Sequence, residues 1–221
     1  MRLLAIGDIH GCYRSLQCVL KAAGVGDDDF VVTLGDYIDR GPDSASVLAW
    51  AIERARASKL APLRGNHEQM MLTARFDPTT MYDWLDWGGD ATLRSYGGTL
   101  DDVPAEHWEF LEQGLLDYFE TPSHFFVHAM AEPRVPLDRQ TETTLFWDKF
   151  RDHPPHQSGK IMICGHTAQV SGLPRNIGHA VCIDTYAYGG GWLTCLEVAS
   201  GRYWQANEHG EQRESNLERA A

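Results

Sequence analysis

Apolar positions along the chain gather in short runs, and each early run stops abruptly at glycine and acid. Leu3 to Ile6, Phe30 to Leu34 and Leu60 to Leu63 have strand length, while Leu16 to Ala23 and Ser44 to Ala57 space their apolar residues like helices. Pro42 and Asp43 announce the second helix. The alternation from Met1 to Gly65 therefore predicts a β-α-β-α-β run, a mostly parallel sheet covered by helices. Asn66 to Arg75 continues as helix, Thr79 to Tyr96 is a helical stretch broken at Gly88-Gly89, and Pro104 to Leu116 reads as one more helix.

The second half changes period. Phe125 to Val127, Ile161 to Cys164, Ala180 to Ile183, Leu193 to Val198 and Arg202 to Trp204 are short strand-like runs split by Gly and Pro, which predicts a second sheet. Glu132 to Pro155, with its four prolines, predicts a long loop, and the polar residues 207–221 predict a loose tail. Tyr82, Trp84, Trp87 and Tyr96 are read as packing a small helical subdomain onto the core.

Composition narrows the class only a little. With 221 residues, 43% hydrophobic and 23% charged, the chain is long enough for one folded domain with some decoration. Its net charge of -12 argues against a surface that tracks nucleic-acid phosphates. The five cysteines are odd in number and lack CxxC spacing, which predicts reduced, mostly buried thiols. No apolar run approaches the ~18 residues of a membrane span, and the first run is too short for a secretory signal. A cytoplasmic address is expected.

The chemistry sits where the runs end. Gly7-Asp8-Ile9-His10-Gly11, Gly35-Asp36-Tyr37-Ile38-Asp39-Arg40-Gly41 and Gly65-Asn66-His67-Glu68 each close an apolar run, and His128 and His166 do likewise. Carboxylate, imidazole and amide oxygen together suit manganese, iron or zinc, and strand ends meeting at one sheet edge bring distant ligands together. That pattern predicts a two-metal site for phosphoester hydrolysis. Cysteine-based phosphatase chemistry is excluded, because no cysteine is followed by the arginine its phosphate loop needs, and there is no Walker A loop.

Taken together, GDIHG, GDYIDRG, GNHE, His128-Ala129 and Gly165-His166-Thr167 resemble the phosphoprotein phosphatase branch of the calcineurin-like metallophosphoesterases, the compact bacterial and phage members above all. The resemblance covers about residues 3–205 and implies an α/β fold, a two-sheet β-sandwich flanked by helices. It implies a catalytic domain over residues 1–206 with a helical insert at 77–118, followed by the tail.

Carried over residue by residue, it implies that Asp8 and His10 hold one divalent ion, that Asp36 bridges both, and that Asn66, His128 and His166 hold the other. Two such ions, manganese in the first instance with iron or zinc as alternatives, would activate a hydroxide for direct attack on phosphorus. His67 would protonate the leaving group, Asp39 would orient it, and Arg40 would clamp the phosphate. Asn66 also faces substrate in this reading, and either Lys149 or Arg151 supplies a second phosphate contact. Glu68 is expected to act behind the ligands. His107, His124, His153, His156, His179 and His209 are expected to be surface or structural residues.

The chain departs from the family pattern at Met130 and Tyr186, where many relatives carry glycine. The implied activity is a protein serine/threonine phosphatase acting on phosphorylated protein or peptide, with some tolerance for small phosphoesters. The alternative is hydrolysis of a dinucleoside polyphosphate such as diadenosine tetraphosphate. A non-catalytic scaffold of the same fold is the third reading, and the presence of every candidate ligand argues against it.

Overall fold

The computed structural model describes residues 1–218. Strand β1 (Leu3–Ile6) leads through helix α1 (Tyr13–Ala22) to β2 (Phe30–Thr33), and helix α2 (Ser44–Arg56) leads to β3 (Leu60–Pro62). The three strands pair in parallel, as strands joined through a crossing helix do. Asp43 caps α2 by accepting the Ser46 N–H at 3.0 Å. Helix α3 (Asn66–Phe76) follows β3 after a short turn.

Residues 77–118 are helical in pieces. Helices α4 (Met81–Trp84) and α5 (Asp90–Tyr96) flank a widened turn whose break falls at Gly88, where φ is 104°. The single helix expected from Pro104 to Leu116 is instead α6 (Ala105–Glu109) followed by a wide turn to Gly114, because Leu116 leaves to bridge Leu63 beside β3.

A second sheet is built from β4 (Tyr118–Glu120), β5 (His124–Val127), β6 (Ile161–Cys164), β7 (Arg175–Asn176) and β8 (Ala180–Cys182), in the order β4-β5-β6-β8-β7. The proline-rich segment before β6 is not all loop, since helix α7 (Glu142–Phe146) forms inside it with Thr141 as its cap. Strands β9 (Leu193–Glu197) and β10 (Arg202–Ala206) do not join this sheet as expected. They return to the first one, where β9 runs antiparallel to β1. The run of short strands gave no sign of the crossing, because pairing partners depend on contacts far away in sequence.

The expected tail also differs. Residues Gln212–Asn216 form β11, an edge strand on β10, held by backbone bonds that need no apolar side chains. Residues 219–221 of that tail lie outside the described residues.

Both faces of each sheet are covered. Alternate residues of β1 divide between layers: Ala5 meets Val32, Phe126, Ile163 and Val181 between the two sheets, whereas Leu4 and Ile6 face Leu16, Val47 and Leu48 beneath the helices. On the second sheet Phe125, Val127 and Met162 point away from that seam, toward Phe146 and Phe150. The result is two sheets packed face to face with helices outside. The C-terminal ends of β1, β2, β3, β5, β6 and β8 open onto one edge of this sandwich. No helix among the described residues is long and apolar enough to cross a membrane.

Candidate metal centre

Each strand delivers its polar residue just beyond its last apolar position. Asp8 and His10 follow β1, Asp36 follows β2, Asn66 and His67 follow β3, His128 follows β5, and His166 follows β6. All but His166 are essentially buried. The turns that present them are strained: His10, Asp36, Asp39, Arg40 and His166 all have φ between 47° and 72°, a left-handed conformation costing about 1 kcal/mol or more per residue. Two glycines let the loops close. A Cβ on Gly65 would lie 2.1 Å from Asp36 Oδ1, and one on Gly165 would lie 2.0 Å from Asp8 Oδ1.

Asp36 is central. One of its oxygens is 3.4 Å from His10 Nε2 and 4.0 Å from His67 Nε2, and the other is 3.5 Å from His128 Nε2. It therefore belongs to two donor groups at once, Asp36 with His10 and His67, and Asp36 with His128 and His166. Burial opposes ionisation of this carboxylate, yet the imidazoles of His128, His67, His10 and His166 outweigh burial and hold it well below the usual range.

The imidazoles are oriented by the backbone behind them. His10 Nδ1 donates to Ile38 O at 2.9 Å and His128 Nδ1 donates to Leu34 O at 2.7 Å, which turns both Nε2 lone pairs inward. His166 is reversed, with Nε2 donating to Trp147 O at 3.0 Å and Nδ1 facing in. Asn66 Oδ1, in this amide orientation, lies 3.0 Å from both His128 Nε2 and His166 Nδ1. Lone pairs thus face one another with no proton between them. Burial lowers the pKa of His10 and His128 and brings His166 down to about 3, which leaves the proton that supports the Asp36 anion to His67, whose pKa is raised. Such a donor set fits divalent cations, nitrogen and oxygen mixed.

Asp8 lies on the floor of the site, where both its oxygens accept the His166 backbone N–H, at 2.9 and 3.2 Å. Burial, then the charges of Asp184 and Asp36, push its pKa well above the carboxylate range. A cluster of buried acids without matching cations has the same preference for a metal as the lone pairs.

His67 is held differently. Its Nδ1 bonds Asp39 Oδ2 at 2.6 Å, and Asp39 in turn accepts from Trp84 Nε1 at 2.9 Å and Thr92 Oγ1 at 2.7 Å. Burial acts to lower the His67 pKa, but Asp36 and Asp39 outweigh it and the net shift is upward. Burial raises Asp39 against the pull of those same bonds. Glu68 ties the loops together by accepting the N–H groups of Asp36, Tyr37 and Gly65 at 2.8 to 2.9 Å, and burial followed by the Asp36 charge pushes it up to about 8.

Asp36, Arg40, Asn66, His67, Lys149 and His166 share one cavity of about 280 Å³. Arg40 reaches His10 Nε2 at 3.0 Å and stacks on the Tyr188 ring at 4.3 Å. Of the two cations left open by the sequence, Lys149 lines this cavity; Arg151 does not. Its guanidinium turns back to Lys149 O and lines a separate cavity beside Met130 and Asp148. Buried Phe150 between them, anchored through its N–H to Thr167 Oγ1, sends the two side chains apart.

Sequence reasoning missed Asp184, a buried acid in the same cavity whose pKa burial lifts to about 6. The signal was available, since Asp184 ends the apolar run of β8 just as Asp8 and Asp36 end theirs. It also missed Trp84, Thr92 and Tyr188. Tyr186 takes φ 68°, a left-handed position that glycine would occupy without strain.

Residues 1–181 match the family described as calcineurin-like phosphoesterase. The chain is 44% identical to serine/threonine-protein phosphatase 1 of Salmonella typhimurium over 86 residues, 38% of each chain. It is 30% identical over 166 residues to the symmetrical bis(5'-nucleosyl)-tetraphosphatase of Cellvibrio japonicus, covering 72% of this chain and 58% of that one. The matched segments span less than two thirds of either relative's length. Among solved structures, a cold-active protein-tyrosine phosphatase from a psychrophilic Shewanella superposes with a TM-score of 0.69 at 18% identity, covering 96% of this chain and 80% of that one. At that identity the likeness concerns the fold.

Proposed function

Because the chain belongs to the calcineurin-like phosphoesterase family, we propose that it is a metal-dependent phosphomonoesterase acting on phosphoserine and phosphothreonine in protein or peptide. The observation that carries this reading is the His67–Asp39 pair at 2.6 Å. A serine or threonine alkoxide is a strongly basic leaving group and departs only with a proton, whereas a nucleoside diphosphate leaves readily without one. An imidazole whose pKa is raised and whose far nitrogen opens into the phosphate cavity suits the first task.

In this reading Asp8 and His10 would hold one divalent ion, Asn66, His128 and His166 would hold the other, and Asp36, which belongs to both donor groups, would contribute to each. When bound, such ions supply Lewis acidity that brings the pKa of water toward ~7 and offsets charge on the phosphoryl oxygens. Manganese suits this donor set, as do iron and zinc. Arg40 clamps the phosphate with a guanidinium braced by Tyr188, and Lys149 adds a second positive charge. Asn66 Nδ2 remains available to a phosphate oxygen. His67 gives its Nε2 proton to the departing oxygen while Asp39 keeps the ring in the required tautomer.

Residues 1–206 form the catalytic unit in this account, with 77–118 as an insert that supplies Trp84 and Thr92 to the acid. Five free thiols support a reducing, cytoplasmic setting. The similarity to a symmetrical bis(5'-nucleosyl)-tetraphosphatase over 166 residues favours a second reading, hydrolysis of dinucleoside polyphosphates. Manganese-loaded protein assayed on phosphoserine peptides, diadenosine tetraphosphate and p-nitrophenyl phosphate separates the two. The first reading requires phosphopeptides to have the highest kcat/KM relative to p-nitrophenyl phosphate, and a preference for the dinucleotide would overturn it.

A further inference from the structure

A second and larger cavity, about 620 Å³, adjoins the phosphate pocket, and Trp87 and Trp147 line both. The two residues are 56% and 43% exposed, unusual for tryptophan, and they form the sill between the cavities. Both are fixed relative to the phosphate site through their backbones. Gly88 O, next to Trp87, accepts the Arg40 N–H at 3.0 Å, and Trp147 O accepts from His166 Nε2 at 3.0 Å. The Trp147 indole N–H reaches across to Gln69 Oε1 at 3.0 Å.

The larger cavity runs along α3, whose first turn carries His67. Met70, three residues after His67 and so its neighbour on the helix face, lines it, as does Thr73 one turn further on from Met70. A leaving group protonated by His67 lies beside this helix face.

The two cavities differ in the charge they leave exposed to a substrate. The inner one holds Arg40 and Lys149 at its wall, and its acids Asp36 and Asp184 are buried among the candidate metal donors. The outer one holds Asp83 and Glu142, both exposed and neither in a salt bridge among the described residues, with Glu142 Oε2 accepting only a long bond from the neutral Gln69 Nε2 at 3.4 Å, while its cation Arg64 faces Asp117 at 4.0 Å. Exposed indole faces and unpaired carboxylates both attract cations. Further phosphates of a polyphosphate chain would meet those carboxylates instead of positive charge.

We infer that the outer cavity seats the peptide flanking the phosphorylated residue and selects a basic side chain there. This rests on the phosphopeptide reading above and adds to it a sequence preference. The aliphatic stem of lysine or arginine packs on Trp87 and Trp147, and its charged head faces Asp83 and Glu142.

The test compares kcat/KM for two phosphoserine peptides that differ only in arginine or glutamate beside the phosphoserine, with p-nitrophenyl phosphate as reference. Wild type should favour the arginine peptide by about fivefold, mainly through KM, as expected for exposed charges, and the ratio should shrink at high salt. An Asp83→Asn/Glu142→Gln double variant, isosteric and at exposed positions, should bring the ratio close to one, with a smaller change on p-nitrophenyl phosphate than on the arginine peptide. Equal rates on both peptides in wild type, or a preference that survives the double variant, would overturn the inference and leave the phosphopeptide reading standing. Hydrolysis of diadenosine tetraphosphate with neither peptide cleaved would overturn both.

Discussion

His67 Nδ1 and Asp39 Oδ2 lie 2.6 Å apart, buried, with Trp84 and Thr92 closing the remaining acceptor positions of the carboxylate. The bond fixes both the ring's orientation and its tautomer, and the four residues come from three segments: Asp39 from the loop after β2, His67 from α3, and Trp84 and Thr92 from the helical insert. Replacing Asp39 by Asn keeps the shape but offers an amide where a carboxylate supported the imidazolium. Turnover of a phosphoserine peptide should fall by ~10²-fold or more, and turnover of p-nitrophenyl phosphate should fall less, because that leaving group scarcely needs a proton. Equal losses on the two substrates would remove the pair from proton donation.

The same pair sets a pH dependence. His67 must carry its proton to act as an acid, and its pKa is shifted upward by Asp36 and Asp39 against the effect of burial. Activity on phosphoserine should therefore hold through neutral pH and decline only as pH rises past a value above the ordinary ~6.5 of histidine. In His67→Asn the residual activity should lose that alkaline decline, read from log kcat/KM against pH.

Asp36 belongs to both donor groups, so one substitution should disturb two ions. Asp36→Asn is expected to bind fewer than two manganese ions per chain, measured by elemental analysis after gel filtration, and to lose more than ~100-fold in turnover. Two tightly held ions in this variant would argue against a shared carboxylate.

Glu68 accepts backbone N–H groups from two separate loops, at Asp36, Tyr37 and Gly65, from a fully buried position. Removing it leaves several donors without partners. Glu68→Ala should destabilise the fold by about 3 kcal/mol, read from urea unfolding of the metal-free protein, since each buried orphan costs roughly 1–3 kcal/mol. Glu68→Gln, which keeps an acceptor oxygen, should cost less.

Far from the site, Asp29 accepts from Arg2 Nη2 at 2.6 Å, Arg2 Nε at 3.1 Å and Gly26 N at 3.0 Å. The Arg2 side-chain bond is the main cause holding its pKa far below the carboxylate range. A depressed pKa means that stability from this group is present above ~3.9 and is lost as pH falls toward the folded value. Asp29→Asn should thus be less stable than wild type by about 1–2 kcal/mol at pH 7, with the gap narrowing below pH 4 in denaturant titrations.

Much of this molecule was legible before any coordinates. The β-α-β-α-β opening follows from local periodicity, and the candidate donor positions follow from a simple rule, a polar residue just past an apolar run at a parallel strand's C-terminal end. Asp8, Asp36, Asn66, His128 and His166 obey that rule, and so does Asp184, whose Ile-Asp-Thr stretch drew notice only for the Tyr186 that follows it. Local pattern carries this information because strand length and burial are set residue by residue.

What the chain alone could not disclose depends on contacts between distant segments. Whether β9 and β10 extend the first sheet or the second turns on pairing with β1, some 190 residues earlier, and backbone hydrogen bonds carry no side-chain signature. The choice of Lys149 over Arg151 for the cavity, the arrival of Trp84 and Thr92 at Asp39, and the joining of two cavities at Trp87 and Trp147 are likewise products of packing. Sequence named the donors of the site; only the folded sandwich brought their lone pairs face to face.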